Sequence, residues 1–311
     1  MQIARLIFSP GFLGIVALFA AIVWMLRDEK DKTRPLVFFA ILINLFYGTA
    51  MTIFLKGEDS LLPWKYDLIL FAVDRALGVT AAAIALPLLH SFWRTPLLVV
   101  YESLLPVMIL CCFLQRRVEE RNLILRGYIA VFVVGPIFYA IVPACGPVYA
   151  FGPKWLYALL PEPAHTIQLS GFPNAFPSLH VATAFLLVLF ARRVFWRGAA
   201  LVFLLETMLS TLSTGEHYVV DLIAGLVFGC FAGAAAGRFW RRAFVYLFAA
   251  VVWSVSIRFR YETLLAHPYA LRLFALVTVM IAMHAVLVAW DRGPVGSFLK
   301  LEEIEKAAAD A

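Results

Sequence analysis

Two short stretches of this chain hold residues suited to nucleophilic chemistry. One reads Asn174-Ala175-Phe176-Pro177-Ser178-Leu179-His180 and runs into an apolar segment; the other reads Ser213-Thr214-Gly215-Glu216-His217-Tyr218-Val219-Val220-Asp221 and does the same. Pro177 suits the first turn of a helix, and a helix start aims several unpaired backbone N–H groups at one spot, which favours phosphate. His180 is predicted within that first turn. His217 and Asp221 are four apart, which predicts one shared helix face. A carboxylate there can take the proton of one imidazole nitrogen, fix the tautomer and leave the other nitrogen free to attack.

The elements that must position these residues follow from composition. Of 311 residues, 63% are hydrophobic and 15% charged. A soluble domain carries about 45–50% apolar and about 25% charged residues, so this chain is predicted to be an all-α, polytopic transmembrane bundle. Disordered, collagenous and disulfide-scaffold classes are excluded, the last because there are only 4 Cys, with no Cys-x-x-Cys. Apolar runs fall at 9–26, 35–55, 96–114, 123–143, 177–192, 198–213, 219–237, 243–257 and 271–290. The first is not read as a cleavable signal: a single Arg5 precedes it and charges follow it directly. The formal charge of +6 resides in short loops, as in membrane proteins, and does not point to nucleic acid.

Segment 66–92 is apolar but broken by Asp67, Asp74, Arg75, Gly78 and Pro87. Laid along the outer interface, it leaves nine spans and puts 17 of the 26 Lys and Arg on the cytoplasmic side, which the positive-inside rule favours over ten spans. Either way the loops 144–176 and 214–218 share the non-cytoplasmic face, and both histidine stretches meet there. Glu102 and Glu206 fall within spans, where charge is costly. Gly225, Gly229, Gly233 and Gly237 form a small-residue stripe that admits a close helix neighbour, in the same chain or in a second copy.

Pro177-Ser178-Leu179-His180 and Gly215-Glu216-His217-Tyr218-Val219-Val220-Asp221 resemble the second and third signature motifs of the type 2 phosphatidic acid phosphatase superfamily. Their wording, with Cys145-Gly146-Pro147, is closest to its inositol phosphorylceramide synthase branch. The resemblance implies a six-helix catalytic core, placed at 66–237, between N-terminal helices (1–65) and C-terminal helices with a short tail (238–311). It implies His217 as nucleophile forming a phosphohistidine, Asp221 as its orienting carboxylate and His180 as the acid for the leaving alkoxide. Ser178 and Leu179, with neighbouring N–H groups, would hold phosphoryl oxygens; no metal or other cofactor is implied. The superfamily's first motif has no match before Pro143, Leu179 replaces a usual glycine, and Ser210-Thr211 replaces serine-arginine. Lys154 and Arg75 are the outer-face cations offered in compensation.

The resemblance implies a phosphotransferase of the plasma membrane that moves an inositol-phosphate-like head group from a phospholipid donor to a lipid or alcohol acceptor. A lipid phosphate phosphatase, with water as acceptor, is the near rival. A transporter or flippase would show an internal repeat, and none is visible between the halves. A di-iron enzyme would need many more histidines than the 6 present.

Overall fold

The computed structural model describes residue 57 and residues 61–89, 91–114, 118–158 and 163–292. The expected spans 9–26 and 35–55 and the tail after 292 lie outside the described residues. The rest is helical: α1 (Asp67–Leu77), α2 (Ala81–Leu89), α3 (Arg94–Leu114), α4 (Val118–Ile141), α5 (Pro147–Phe151), α6 (Leu179–Phe190), α7 (Val194–Ser213), α8 (Val219–Ala236), α9 (Trp240–Ala266) and α10 (Pro268–Arg292). Five of these, α4 and α7 to α10, are long and apolar enough to cross a membrane, and the bent pair α1–α2 would make a sixth. The chain is thus an all-α, multi-pass membrane bundle. Helix α6 has 12 residues, about 18 Å at 1.5 Å per residue, so it cannot by itself cross a hydrocarbon core of about 30 Å.

Helix α8 is the hub, packing on α4, α6, α9, α10 and α1. Its glycine stripe faces inward and serves packing within the chain. A Cβ on Gly225 would lie 2.7 Å from the Ser178 carbonyl oxygen, one on Gly229 3.0 Å from that of Ala182, and one on Gly233 2.7 Å from Leu189 Cδ1. The missing side chains let α6 lie against α8 almost backbone to backbone. On the opposite side of α6, Leu179 fills the space left by Gly135 of α4, where a Cβ would stand 2.6 Å from Leu179 Cδ2.

Segment 66–92 departs from the expected interfacial strip. It bends by 86° between α1 and α2 at Gly78, whose φ of +95° suits glycine. Helix α1 is interior: Ile69, Leu70 and Val73 are fully buried, and so are Asp67 and Asp74. The two carboxylates are tolerated there because other segments supply N–H donors to them, whereas Arg75 points outward and is exposed.

The long loop 144–176 also has structure of its own. Helix α5 and a 3-10 turn (Gly152–Tyr157) pack together at its start. Strand β2 (Ile167–Gln168) then pairs antiparallel with β1 (Trp64–Lys65), tying the loop to the entry of α1.

The close α6–α8 approach is testable. Gly225→Val should push α6 off α8, lowering the melting temperature in detergent by an overpacking cost of about 1–3 kcal/mol. Gly198→Ala on α7, where a Cβ meets nothing within 4 Å, should leave it unchanged or raise it.

Candidate active site

The starts of α6 and α8 are hydrogen-bonded to each other. Ser178 is the N-cap of α6; its N–H donates to the Asp221 carbonyl at 3.0 Å, and its hydroxyl oxygen accepts the Val181 N–H at 3.4 Å. Pro177 therefore precedes the cap and does not form the first turn as expected. At the start of α8, Tyr218 is the N-cap and Asp221, in the first turn, reaches back to accept the Tyr218 N–H at 2.7 Å. His217 accordingly stands just before the helix, and not on a helical face shared with Asp221.

The two still meet, with a different division of labour from the one expected. His217 Nδ1 is 2.8 Å from the carbonyl oxygen of Ala175 and 3.5 Å from Asp221 Oδ2. A carbonyl can only accept, so Nδ1 carries the proton and Nε2 keeps its lone pair. Nε2 lies 3.3 Å from Ser178 Oγ. The Ala175 carbonyl fixes the tautomer, and the Asp221 carboxylate adds negative charge beside a ring that turns cationic when Nε2 is alkylated or phosphorylated. Asp221 Oδ1 has no hydrogen-bond partner among the described residues.

His180 faces His217 edge-on, with ring centroids 5.8 Å apart, and stacks on Tyr101 of α3 at 4.6 Å. His217 is 3% exposed, whereas His180 is half-buried. A group entering past His180 would meet Nε2 of His217 at the back of the site. The first-turn N–H groups of α6, those of Leu179 and His180, lie outside its helical ladder. Leu179 contributes only that backbone group, because its side chain is buried against α4.

Several positioning residues are remote in sequence. Asp74 accepts the N–H groups of Val219 and Val220 at 2.8 and 2.9 Å, satisfying the open end of α8. Asp67 accepts from Gly146 N–H (2.8 Å), Cys145 N–H (3.1 Å) and the Tyr218 hydroxyl (3.0 Å). Gly146, at φ +100°, lies so close to the Glu216 carbonyl that any side chain would collide with it. Tyr149 donates to Glu216 Oε1 at 3.1 Å. Lys154 and Arg75 are exposed, and neither makes a hydrogen bond or ion pair with the histidines among the described residues. Ser210 and Thr211 are fully buried on α7.

Burial sets the protonation of the nucleophilic candidate. It pushes His217 down to about 4, against the opposing pull of Glu216 and the Ala175 carbonyl, while burial raises the Glu216 carboxyl. A lowered imidazole value means the ring is neutral at every pH above it. Nitrogen-15 spectra of histidine-labelled protein should show one histidine held as the Nδ1–H tautomer and uncharged at pH 5.5, its signal vanishing in His217→Gln. A ring that titrates near the ordinary value of about 6.5 would contradict this. Asp74→Ala should strand two N–H groups at the start of α8, costing about 1–3 kcal/mol each in a thermal melt, and should lower turnover.

This geometry places two imidazoles, a serine hydroxyl, a carboxylate and a helix start in one recess. That set can attack phosphorus, protonate a leaving oxygen and cradle an anion. No curated protein and no solved structure matches the chain. The family model of the PAP2 superfamily matches residues 68–236. That span runs from the second residue of α1 to the last residue of α8 and takes in Tyr101, Ala175, Ser178, His180, His217 and Asp221, with Asp67 just before it. The chain therefore belongs to the PAP2 superfamily, the type 2 phosphatidic acid phosphatases and their phosphotransferase relatives.

Proposed function

We propose that this membrane protein is a lipid phosphotransferase, which moves a phosphoryl-alcohol head group, inositol-phosphate-like, from a phospholipid to a lipid or alcohol acceptor. The observation that carries this reading is the lone pair of His217 Nε2, exposed by the Nδ1–Ala175 bond and faced by His180 across 5.8 Å. In the first half-reaction Nε2 bonds to phosphorus, the ester bond to the donor's glycerol oxygen breaks, and His180 supplies that oxygen with its proton. In the second, the acceptor hydroxyl gives its proton to His180 and attacks phosphorus, and the P–N bond breaks. Asp221 stabilises the cationic phosphohistidine between the two. Ser178 and the N–H groups of Leu179 and His180 hold the non-bridging oxygens.

Lys154 and Arg75 take a lesser part in this scheme: exposed and out of contact with the histidines, they meet the head group beyond the scissile phosphate. The site opens on the non-cytoplasmic face, because the arginine-rich turns Arg192–Arg197 and Arg238–Arg242 lie at the other end of α6 and α8. Hydrolysis by water is the alternative fate of the same intermediate.

Incubation with a phospholipid labelled in its head group, together with candidate acceptors, separates the two. Transfer predicts a labelled acceptor lipid and, on acid-free quenching, a labelled protein band that His217→Ala lacks. Label appearing only as free phosphate or free head-group phosphate would refute transfer. His217→Ala should lower turnover by at least about 1,000-fold with the fold retained, whereas His180→Ala should hurt most with donors whose leaving alkoxide is most basic.

A further inference from the structure

The two histidines of the recess are held in different ways. His217 has an orienting partner at Nδ1, the Ala175 carbonyl at 2.8 Å, with the Asp221 carboxylate at 3.5 Å. His180 has no such partner: among the described residues, no hydrogen bond reaches its ring nitrogens. Its ring meets His217 edge-on at 5.8 Å and lies flat on Tyr101, with centroids 4.6 Å apart and planes 22° from parallel. Tyr101 is itself well anchored. It belongs to the stripe Leu97, Tyr101, Leu104, Met108 and Cys112 along α3, and the other members of that stripe are buried against the bundle. Helix α3 packs on α6, which carries His180, and on α7. The phenol ring thus stands on a packed helix and not on a loop.

We propose that Tyr101 is the positioning residue of His180, setting by ring stacking the orientation that a hydrogen bond sets for His217. The inference rests on the transferase reading above, in which His180 gives a proton to the leaving glycerol oxygen and later takes one from the acceptor hydroxyl. Both transfers need a ring nitrogen aimed at the oxygen on phosphorus. A hydrogen bond to the other nitrogen would fix the ring, and would also favour one protonation state over the other. Stacking fixes the plane of the ring and leaves both nitrogens able to exchange protons. That suits a group that acts first as acid and then as base. The stacked face also meets the charge: when His180 gains the acceptor's proton, the imidazolium lies over an electron-rich ring. The stack uses the ring of Tyr101 and not its hydroxyl. Phenylalanine is therefore an adequate replacement, and leucine, an apolar side chain without a ring face, is not.

The full-length protein is compared with Tyr101→Phe, Tyr101→Leu, His180→Ala and the double variant Tyr101→Leu with His180→Ala, on two donors of the same head group. One is phosphatidylinositol, whose glycerol oxygen leaves as a basic alkoxide; the other is the phosphodiester of inositol and p-nitrophenol, whose nitrophenolate leaves without a proton. Tyr101→Leu should slow turnover of phosphatidylinositol by about 100-fold and change the first-turnover release of nitrophenol by less than about threefold. Tyr101→Phe should stay within about threefold on both donors. The double variant should be no slower than His180→Ala alone, because Tyr101 acts only through that ring. Equal slowing on both donors, unimpaired turnover of phosphatidylinositol in Tyr101→Leu, a further loss in the double variant, or a phenylalanine variant as slow as the leucine one would each overturn the proposal. Tyr101→Met carries the same expectations should the leucine variant not fold. A readout without turnover separates this inference from the transferase reading. In histidine-labelled protein the ring signals of His180 should shift and broaden in Tyr101→Leu while those of His217 stay in place; unchanged His180 signals would overturn the positioning role even in a protein that transfers nothing.

Discussion

One backbone hydrogen bond organises the reactive end of this protein: the N–H of Ser178 donates to the carbonyl of Asp221. It locks the start of α6 to the start of α8. The bond is possible because Gly225, one turn along α8, presents no side chain to the Ser178 carbonyl. With the two helix starts fixed in register, Ser178 Oγ falls beside His217 Nε2 and His180 falls across from it. Proximity of this kind is where a phosphoryl-transfer site gains most, since attacking and departing atoms must flank one phosphorus. The same register allows the Ala175 carbonyl to hold His217 by its other nitrogen.

Around that bond the fold spends three buried carboxylates on backbone groups. Asp74 and Asp221 take the N–H groups that open α8, and Asp67 takes those of Cys145 and Gly146 with the Tyr218 hydroxyl. In a lipid-surrounded protein, backbone donors without water must find acceptors inside, and an ionised acceptor makes the stronger bond. These acids come from opposite sides of the site: Asp67 and Asp74 from α1, Asp221 from α8 itself. The loop bearing His217 is thus held at both its neighbours while Nε2 of its ring faces the Ser178 hydroxyl. Such support from the surrounding shell keeps a nucleophile within a fraction of an ångström of its working position.

The histidine stretches and their shared face were legible in the sequence because the signals are local: a Pro-Ser before an apolar run, a histidine ahead of another, and glycines at a four-residue spacing. Seven of the nine apolar runs reappear as α3, α4, α6, α7, α8, α9 and α10 with modest shifts at their ends. What sequence could not give was long-range pairing. Ala175 meets His217 across 42 positions, and Asp67 meets Tyr218 across 151. Asp67 and Asp74 were visible as charges in an apolar run, and their cost in hydrocarbon argued for a surface strip. That inference took the desolvation cost and omitted the donors: buried N–H groups reverse the sign. Tyr101, which stacks on His180, carried no signal at all, since an aromatic residue in an apolar helix is ordinarily packing.

The charge balance of the recess bears on which phosphate it suits. The PAP2 members that act as phosphatases present cations to the phosphate, and here Ser210-Thr211 and Leu179 occupy positions where a serine-arginine and a glycine would stand. Among the described residues, no lysine or arginine hydrogen-bonds or ion-pairs with the histidine pair, and the acidic groups nearest it are Asp221 and Glu216. A phosphate monoester carries close to two negative charges at neutral pH, and drawing it beside Asp221 and Glu216 without a cation is costly. A phosphodiester carries one, and a helix start with a serine hydroxyl is a donor set on the scale of one charge. For the proposed reaction, a recess built from N–H groups in place of guanidinium groups suits a diester donor, the head-group linkage of an intact phospholipid, better than a monoester. In the proposed transfer, the P–O bond to break is then the one to the glycerol oxygen, with the phosphoryl-alcohol held on His217 for the acceptor.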